Sequence, residues 1–247
     1  MPSESMVTLV FGGTGGIGAE LARQMADAGS VVVVASRHAE SDPAFAGHPN
    51  IVARTVDATR SAEVNALVDA VVVDHGRLDA VANCIGSILL KPAHLTNDDE
   101  WAATLATNLT TSFFILRAAA RHMMQQKCGS IVLVASAVAS RGMVNHEAIA
   151  AAKGGVAALA RSAAATYARS GVRVNCVAPG LVETPLARPI TGSEAGLKAS
   201  TALHPLGRIG QPAEVASSIH WLLRPEQGWI TGQCLGVDGG LSTLQPS

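Results

Sequence analysis

Residues 7–18 read Val7-Thr8-Leu9-Val10-Phe11-Gly12-Gly13-Thr14-Gly15-Gly16-Ile17-Gly18, an apolar run that ends in five glycines within seven positions. The run predicts a strand, and residues 17–28 carry the period of a helix. Between them the glycines permit a sharp turn and leave the main chain open, so that a pyrophosphate can approach it at the positive end of the helix. Two spacings fit, Gly13-x-Gly15-x-x-Gly18 and Gly12-x-x-x-Gly16-x-Gly18. Strand, glycine turn and helix in this order supply the context that a dinucleotide-binding fingerprint requires.

The same alternation continues outward from this unit. Strands are predicted over 7–12, 31–36, 51–56, 78–83, 130–136, 172–177 and 233–237. Most lack polar alternation, which marks strands covered on both faces, as in a parallel sheet between helix layers. Helices are predicted over 17–28, 62–75, 98–125, 146–169 and 213–223. The expected fold is α/β, a single doubly wound Rossmann-type domain over 1–247 with a parallel seven-stranded sheet flanked by helices.

Composition narrows the function classes. Of 247 residues, 48% are apolar and 15% charged, which excludes a disordered chain and leaves a surface poor in charge. Eighteen basic residues stand against nineteen acidic ones with no basic run, so no cationic patch for nucleic acid is expected. No apolar run reaches the roughly 18–20 residues that span a bilayer, and Met1-Pro2-Ser3-Glu4-Ser5 has no secretory pattern. The cysteines Cys84, Cys128, Cys176 and Cys234 lie far apart with no C-x-x-C pair. They are read as reduced, buried thiols of a cytoplasmic protein, with no metal site expected.

Two helices are unusually apolar. Residues 147–168 are mostly Ala, Gly, Val and Leu, and the 98–125 helix carries Phe113-Phe114-Ile115-Leu116. One face of each can cover the sheet, and the other is expected to meet a second subunit, giving a homo-oligomer. Water-facing alanines are the alternative.

The second strand ends at Ala35-Ser36-Arg37. A carboxylate at that point would bind both ribose hydroxyls of NAD, whereas Ser36 and Arg37 suit a 2′-phosphate, so NADP(H) is favoured over NAD(H). Asp57, after the third strand, can meet the adenine amino group or simply start a turn.

Further elements follow in order: Asn83-Cys84-Ile85-Gly86, Thr107-Asn108-Leu109, Ser136, Asn175-Cys176-Val177-Ala178-Pro179-Gly180 with Thr184 beyond it, Gly207-Arg208, and Val237-Asp238-Gly239-Gly240. With Gly12, Gly16 and Gly18, this series resembles the short-chain dehydrogenase/reductase family along the whole chain, with Phe11 where that family usually has Thr. The resemblance implies hydride transfer between a nicotinamide cofactor and a small-molecule substrate, usually in a tetramer. It implies a cofactor site made of Gly12, Thr14, Gly15, Gly16, Ile17, Gly18, Ser36, Arg37, Asp57, Ala58, Asn83, Gly86, Lys153, Pro179, Gly180, Val182 and Thr184. It also implies that Ser136, Asn108 and Lys153 are catalytic.

The family's Y-x-x-x-K element follows its serine by about thirteen residues, and here that position reads Ile149-Ala150-Ala151-Ala152-Lys153. Tyr167 is the only tyrosine and lies too far along the helix to replace it. In the family the phenol moves the proton of the substrate oxygen. Isoleucine has none to give, and loss of a general acid costs about 10²–10⁴ in rate. Activity on ordinary ketones is therefore expected to be weak.

Three readings follow. The chain is an oxidoreductase with another proton source or little need of one, acting on a carbonyl, an imine or a conjugated acceptor. Alternatively it binds nucleotide without redox activity, or it carries a Tyr→Ile change in an ordinary member of the family. His146 is the nearest candidate acid: on a helix, positions 146, 149 and 153 fall within about 60° of one another. A loop histidine without a catalytic part is the other reading of His146, and Glu147 is a second candidate. Residues from about 181 to 205 are expected to form a substrate lid, with Leu181, Val182, Leu186, Ile190 and Leu197 giving an apolar contact surface and Gly192 and Gly196 making it mobile.

Overall fold

Valine and isoleucine crowd the predicted strands because a β-branched side chain suits a pleated surface covered on both sides. In the computed structural model, which describes residues 5–41, 45 and 48–245, these runs form one parallel sheet. Residues 1–4, read above for a secretory pattern, lie outside the described residues. The strands are β1 (Val7–Phe11), β2 (Val31–Ser36), β3 (Ile51–Thr55), β4 (Ala80–Asn83), β5 (Gly129–Val134), β6 (Val172–Pro179) and β7 (Cys234–Val237), in the spatial order β3-β2-β1-β4-β5-β6-β7. The order reverses between β1 and β4, and a crevice at the carboxyl ends of these two strands is where an open α/β sheet accepts a ligand.

Helices cover both faces. On one lie α2 (Ser61–His75), α4 (Thr111–Gln126) and α5 (Glu147–Tyr167), with Leu9, Phe11, Ile131 and Leu133 facing Val68, Ile115 and Val156. On the other lie α1 (Gly16–Asp27) and α8 (Pro212–Leu223), with Val10, Val32, Val34 and Val132 facing Leu21, Met25 and Ile219. Successive residues of β1 thus enter opposite cores, and all five are buried.

Several expected boundaries are corrected. The 98–125 helix is three pieces: α3 (Asp98–Leu105), a π-helical turn at Ala106–Thr110, and α4. Hydroxyls of Thr104, Thr111 and Ser112, and the Asn108 amide, donate to main-chain carbonyls four residues earlier, competing with the regular ladder along this stretch. The 130–136 strand stops at Val134, leaving Ser136 at the head of a short turn over Ala137–Ala139. His146 is the N-cap of α5 and not a helical residue. The 181–205 segment, where no helix was expected, contains α6 (Arg188–Thr191) and α7 (Glu194–Leu203). A Cβ on Gly196 would stand 2.2 Å from the Ile190 carbonyl oxygen, so this glycine lets the two helices meet closely.

The thiols are also corrected: Cys176 is buried, Cys84 half-buried, and Cys128 and Cys234 exposed. Among the described residues no helix is long and apolar enough to cross a membrane. On the outer faces Phe113 is 44% exposed beneath the Arg117 guanidinium, and the outward positions of α5 include Ala151, Ala158 and Ala165.

Candidate active site

The turn after β1 is anchored by the Gly12 N–H, which donates to the Ala35 carbonyl at 2.8 Å. Gly12 has φ +72°, and a Cβ there would stand 2.8 Å from the main chain at Cys84 and Ile85. A Cβ on Gly18 would lie 2.3 Å from the Gly12 oxygen, and one on Gly16 would meet Thr184 Cγ2 at 2.7 Å. These glycines therefore bring β1, the 84–86 loop and the start of α1 closer together than side chains would permit. No side chain caps the N-terminus of α1, and no carboxylate stands in its first turn. Its first amides keep their donors and its dipole keeps its positive end, as an anion site requires.

Gly12, Thr14, Gly15, Gly16, Ile17 and Gly18 line one wall of a cavity of about 400 Å³. Ser36, Arg37, Asp57 and Ala58 line it as well, as do Gly86 and Thr184. Thr14 Oγ1 donates to Ser36 Oγ at 3.0 Å, joining the turn to the end of β2. The Asp57 carboxylate accepts from the Thr59 hydroxyl at 2.7 Å and from its N–H at 3.0 Å. Those two bonds, with Arg37 and Arg60 nearby, hold Asp57 below the ordinary carboxylate pKa.

The other expected cofactor residues lie elsewhere. Asn83 is buried, accepting the Ile85 N–H at 3.0 Å and donating to Ser112 Oγ at 2.9 Å, so it shapes the 84–86 loop from behind. Val182 is buried and pairs with Gly210 in an isolated bridge. Pro179 and Gly180 line a second cavity. His38 and Leu186, which sequence reasoning did not select, line the first. His38 directly follows Arg37 and could have been found; Leu186 carries no local signal.

The second cavity, of about 260 Å³, brings together Ser136, His146, Ile149, Pro179 and Gly180, with Leu90, Met143, Leu181, Ile190, Leu203 and Leu241 giving an apolar wall. Ile149, 5% exposed on the first turn of α5, lines this cavity together with Ser136. The Ser136 oxygen accepts from the Val138 N–H at 3.4 Å, which leaves its own hydrogen to donate.

Two histidines line this cavity, and they differ in what their rings can do. His146 Nδ1 lies 2.7 Å from the Val144 carbonyl, which can only accept, so Nδ1 carries the hydrogen and Nε2 is the second nitrogen. His204 uses both nitrogens on the main chain: Nδ1 donates to Ser200 O at 2.7 Å, and Nε2 accepts the Leu181 N–H at 3.1 Å. His204 belongs to no motif and was not selected from the sequence.

Asn108 and Lys153 line neither cavity and stand behind them. Asn108, wholly buried in the π-helical turn, accepts the Ser87 N–H at 3.1 Å and donates to Ser87 Oγ at 2.8 Å and Thr104 O at 3.0 Å. A Cβ on Gly86 would lie 3.3 Å from Asn108 Oδ1 and 3.6 Å from Lys153 Nζ, so this glycine marks where both approach the loop. Lys153 Nζ donates to the Val134 carbonyl at 2.8 Å. Burial brings its pKa down to about 8 and pushes the Cys84 thiol up to about 12.

Residues 12–242 match the family described as enoyl-(acyl carrier protein) reductase. The cis-4-hydroxycyclohexanecarboxylate dehydrogenase of Sinomonas cyclohexanicum is 38% identical over 96% of this chain and 97% of its own. The chain belongs to the short-chain dehydrogenase/reductase family. Another short-chain relative, the 3-oxoacyl-acyl-carrier-protein reductase FabG of Vibrio cholerae, is 32% identical over 98% of this chain and 99% of its own. Among solved structures, ElxO with NADP bound superposes with a TM-score of 0.92 at 28% identity, covering 97% of this chain and all of that one.

Proposed function

We propose that the protein is an NADP-dependent oxidoreductase that transfers hydride to a carbonyl, imine or conjugated acceptor, through an active site in which Ile149 occupies the place of the family's tyrosine. The observation that carries this reading is the pair of cavities. One has an uncapped helix N-terminus, a glycine cradle and Arg37; the other combines Ser136 and His146 with an apolar wall. The structure of ElxO with NADP bound supports the choice of cofactor.

The chain's own groups fit a dinucleotide. Glycine positions that a Cβ would obstruct let the phosphates reach the amides of Gly16, Ile17 and Gly18, beside Thr14 and Gly15. Ser36 and Arg37 hold the 2′-phosphate, Asp57 and Ala58 the adenine edge, and Gly86 and Thr184 the opposite half. Asn83 and Val182 act by shaping the walls, Pro179 and Gly180 by closing the nicotinamide side. When bound, NADPH supplies the hydride.

The remaining task is a proton for the substrate. Ser136 donates a hydrogen bond to the acceptor oxygen or nitrogen, polarising it. His146, once protonated, can give its Nε2 proton while Nδ1 remains on Val144. His204 cannot do so without losing Leu181. Asn108 holds the 84–88 loop through Ser87, and Lys153 is anchored on the end of β5 through Val134, close to Gly86. Residues 181–205, as α6 and α7, act as the substrate lid, and an acceptor that needs no strong acid, such as a preprotonated imine or a conjugated C=C, suits this site best. Exposed Phe113 and the alanine face of α5 support a homo-oligomer, a dimer or a tetramer.

The test is NADPH oxidation over a panel of ketones, imines and enones by the native protein and by Ile149→Tyr, with NADPH binding confirmed for both. Turnover of an imine or enone by the native protein, not improved by the tyrosine, is the expected result. Binding without turnover by the native protein on any acceptor would overturn it in favour of a nucleotide-binding protein without redox activity.

A further inference from the structure

Cys176 and Cys234 are far apart in sequence but are register partners on the adjacent parallel strands β6 and β7. Paired residues of parallel strands point to the same face of a sheet, so the two thiols are side by side. Cys176 is wholly buried in the core beneath α5, whereas Cys234 is exposed. The two thiols neighbour each other closely enough to influence one another electrostatically, and Arg161 of α5 lies close to both. Neither Cys84 nor Cys128 is a register partner of another cysteine.

Neighbouring strands lie about 4.8 Å apart, inside the roughly 4.4–6.8 Å between Cα atoms that a disulfide bridges. Any adjustment the bond needs falls on β7, a four-residue strand at the sheet's edge.

We propose that Cys234 and Cys176 are a peroxide-oxidisable pair that forms a reversible disulfide between β6 and β7. The Cys234 thiolate attacks an oxygen of hydrogen peroxide or an organic hydroperoxide, breaking the O–O bond; it becomes a sulfenic acid, and water or an alcohol leaves. The Cys176 sulfur then attacks the Cys234 sulfur, the S–S bond forms and water departs with the Cys176 proton. The two thiols together lose two electrons, and the peroxide takes both. A dithiol such as dithiothreitol returns the pair to thiols.

The electrostatics favour this division of labour. The neighbouring Cys176 thiol and the Arg161 guanidinium lower the Cys234 pKa, while the neighbouring Cys234 sulfur and burial raise that of Cys176. The exposed sulfur is therefore the first nucleophile and the buried one the resolving partner. Since β6 runs on from Cys176 to Pro179, the link fixes the strand that supplies one wall of the apolar cavity.

The experiment treats the full-length protein with hydrogen peroxide, blocks remaining thiols, and maps peptides without reduction. The expected result is a fall from four titratable thiols to two and one cross-linked peptide joining Cys176 to Cys234, lost on treatment with dithiothreitol. Cys176→Ser should stop at a dimedone-reactive sulfenic acid on Cys234. Four thiols retained, a Cys234 over-oxidised while Cys176 remains a thiol, or a cross-link through Cys128 or to a second chain would each overturn the proposal. Because the map is read on the native sequence, it does not depend on a variant folding.

Discussion

The ammonium of Lys153 donates to the main-chain carbonyl of Val134 at 2.8 Å, inside a site where the lysine is only 6% exposed. Desolvation lowers its pKa from the ordinary 10.5 to about 8. Below about pH 8 the group is charged in both folded and unfolded chains, and folding bears the whole cost of burying it. Between about 8 and 10.5 the unfolded chain binds the extra proton, so stability rises with pH across that window. Denaturant unfolding of the native protein and of Lys153→Met, at pH 7 and at pH 10, isolates this group. The difference should move toward the native protein by about 2–3 kcal/mol; a difference independent of pH would refute the lowered pKa.

The two cavity histidines should respond differently to replacement. On an acceptor that must gain a proton, a ketone or a neutral imine, His146→Ala is expected to lower kcat by about 10²–10⁴ while the Kd for NADPH holds. His204→Ala leaves the part-buried Leu181 N–H without its acceptor, so it should lower stability by about 1–3 kcal/mol. Kinetics and melting of both variants check this. If His146→Ala turns over at the native rate, that imidazole is not the proton source.

Much of the fold was legible because most strands are local runs rich in Val and Ile, set between longer helical segments. What escaped depended on contacts distant in sequence. The π-helical turn at Asn108 requires hydroxyls and an amide along two helical turns to compete for the same carbonyls, and no residue count reveals that. Ser136 and Ile149 were found through the family resemblance and the spacing it carries, whereas His204 enters the cavity only because α7 folds back on Leu181. Likewise Cys176 and Cys234 looked unrelated in the sequence because only the strand order makes them neighbours.

The glycine turn can be tested without chemistry. At Gly18 a Cβ would stand 2.3 Å from the Gly12 oxygen, a main-chain atom that cannot swing aside as a side chain would. Gly18→Ala should therefore displace the turn, weaken NADPH binding at least about tenfold and lower Tm, since overpacking costs about 1–3 kcal/mol. Calorimetric binding and a thermal melt read both effects. Native affinity in Gly18→Ala would remove this turn from the cofactor site.

Cofactor preference turns on the end of β2. Ser36 is held by Thr14 Oγ1, and Arg37 stands at the cavity wall with Asp57, whose carboxylate is kept ionised by Thr59. A 2′-phosphate placed there meets the guanidinium in charge-assisted hydrogen bonds, each worth about 1.5–3 kcal/mol. NADH has only a hydroxyl to offer at that point and gains nothing from the charge. Arg37→Ala should therefore reduce the ratio of NADPH to NADH affinity by about ten- to a hundredfold, almost entirely through weaker NADPH binding. The loss should also flatten the salt dependence of NADPH binding, because an exposed cation–phosphate pair is screened as ionic strength rises. Titration of both cofactors at two salt concentrations measures each quantity. An unchanged ratio would move 2′-phosphate recognition away from Arg37, and His38 on the same wall would be the next residue to replace.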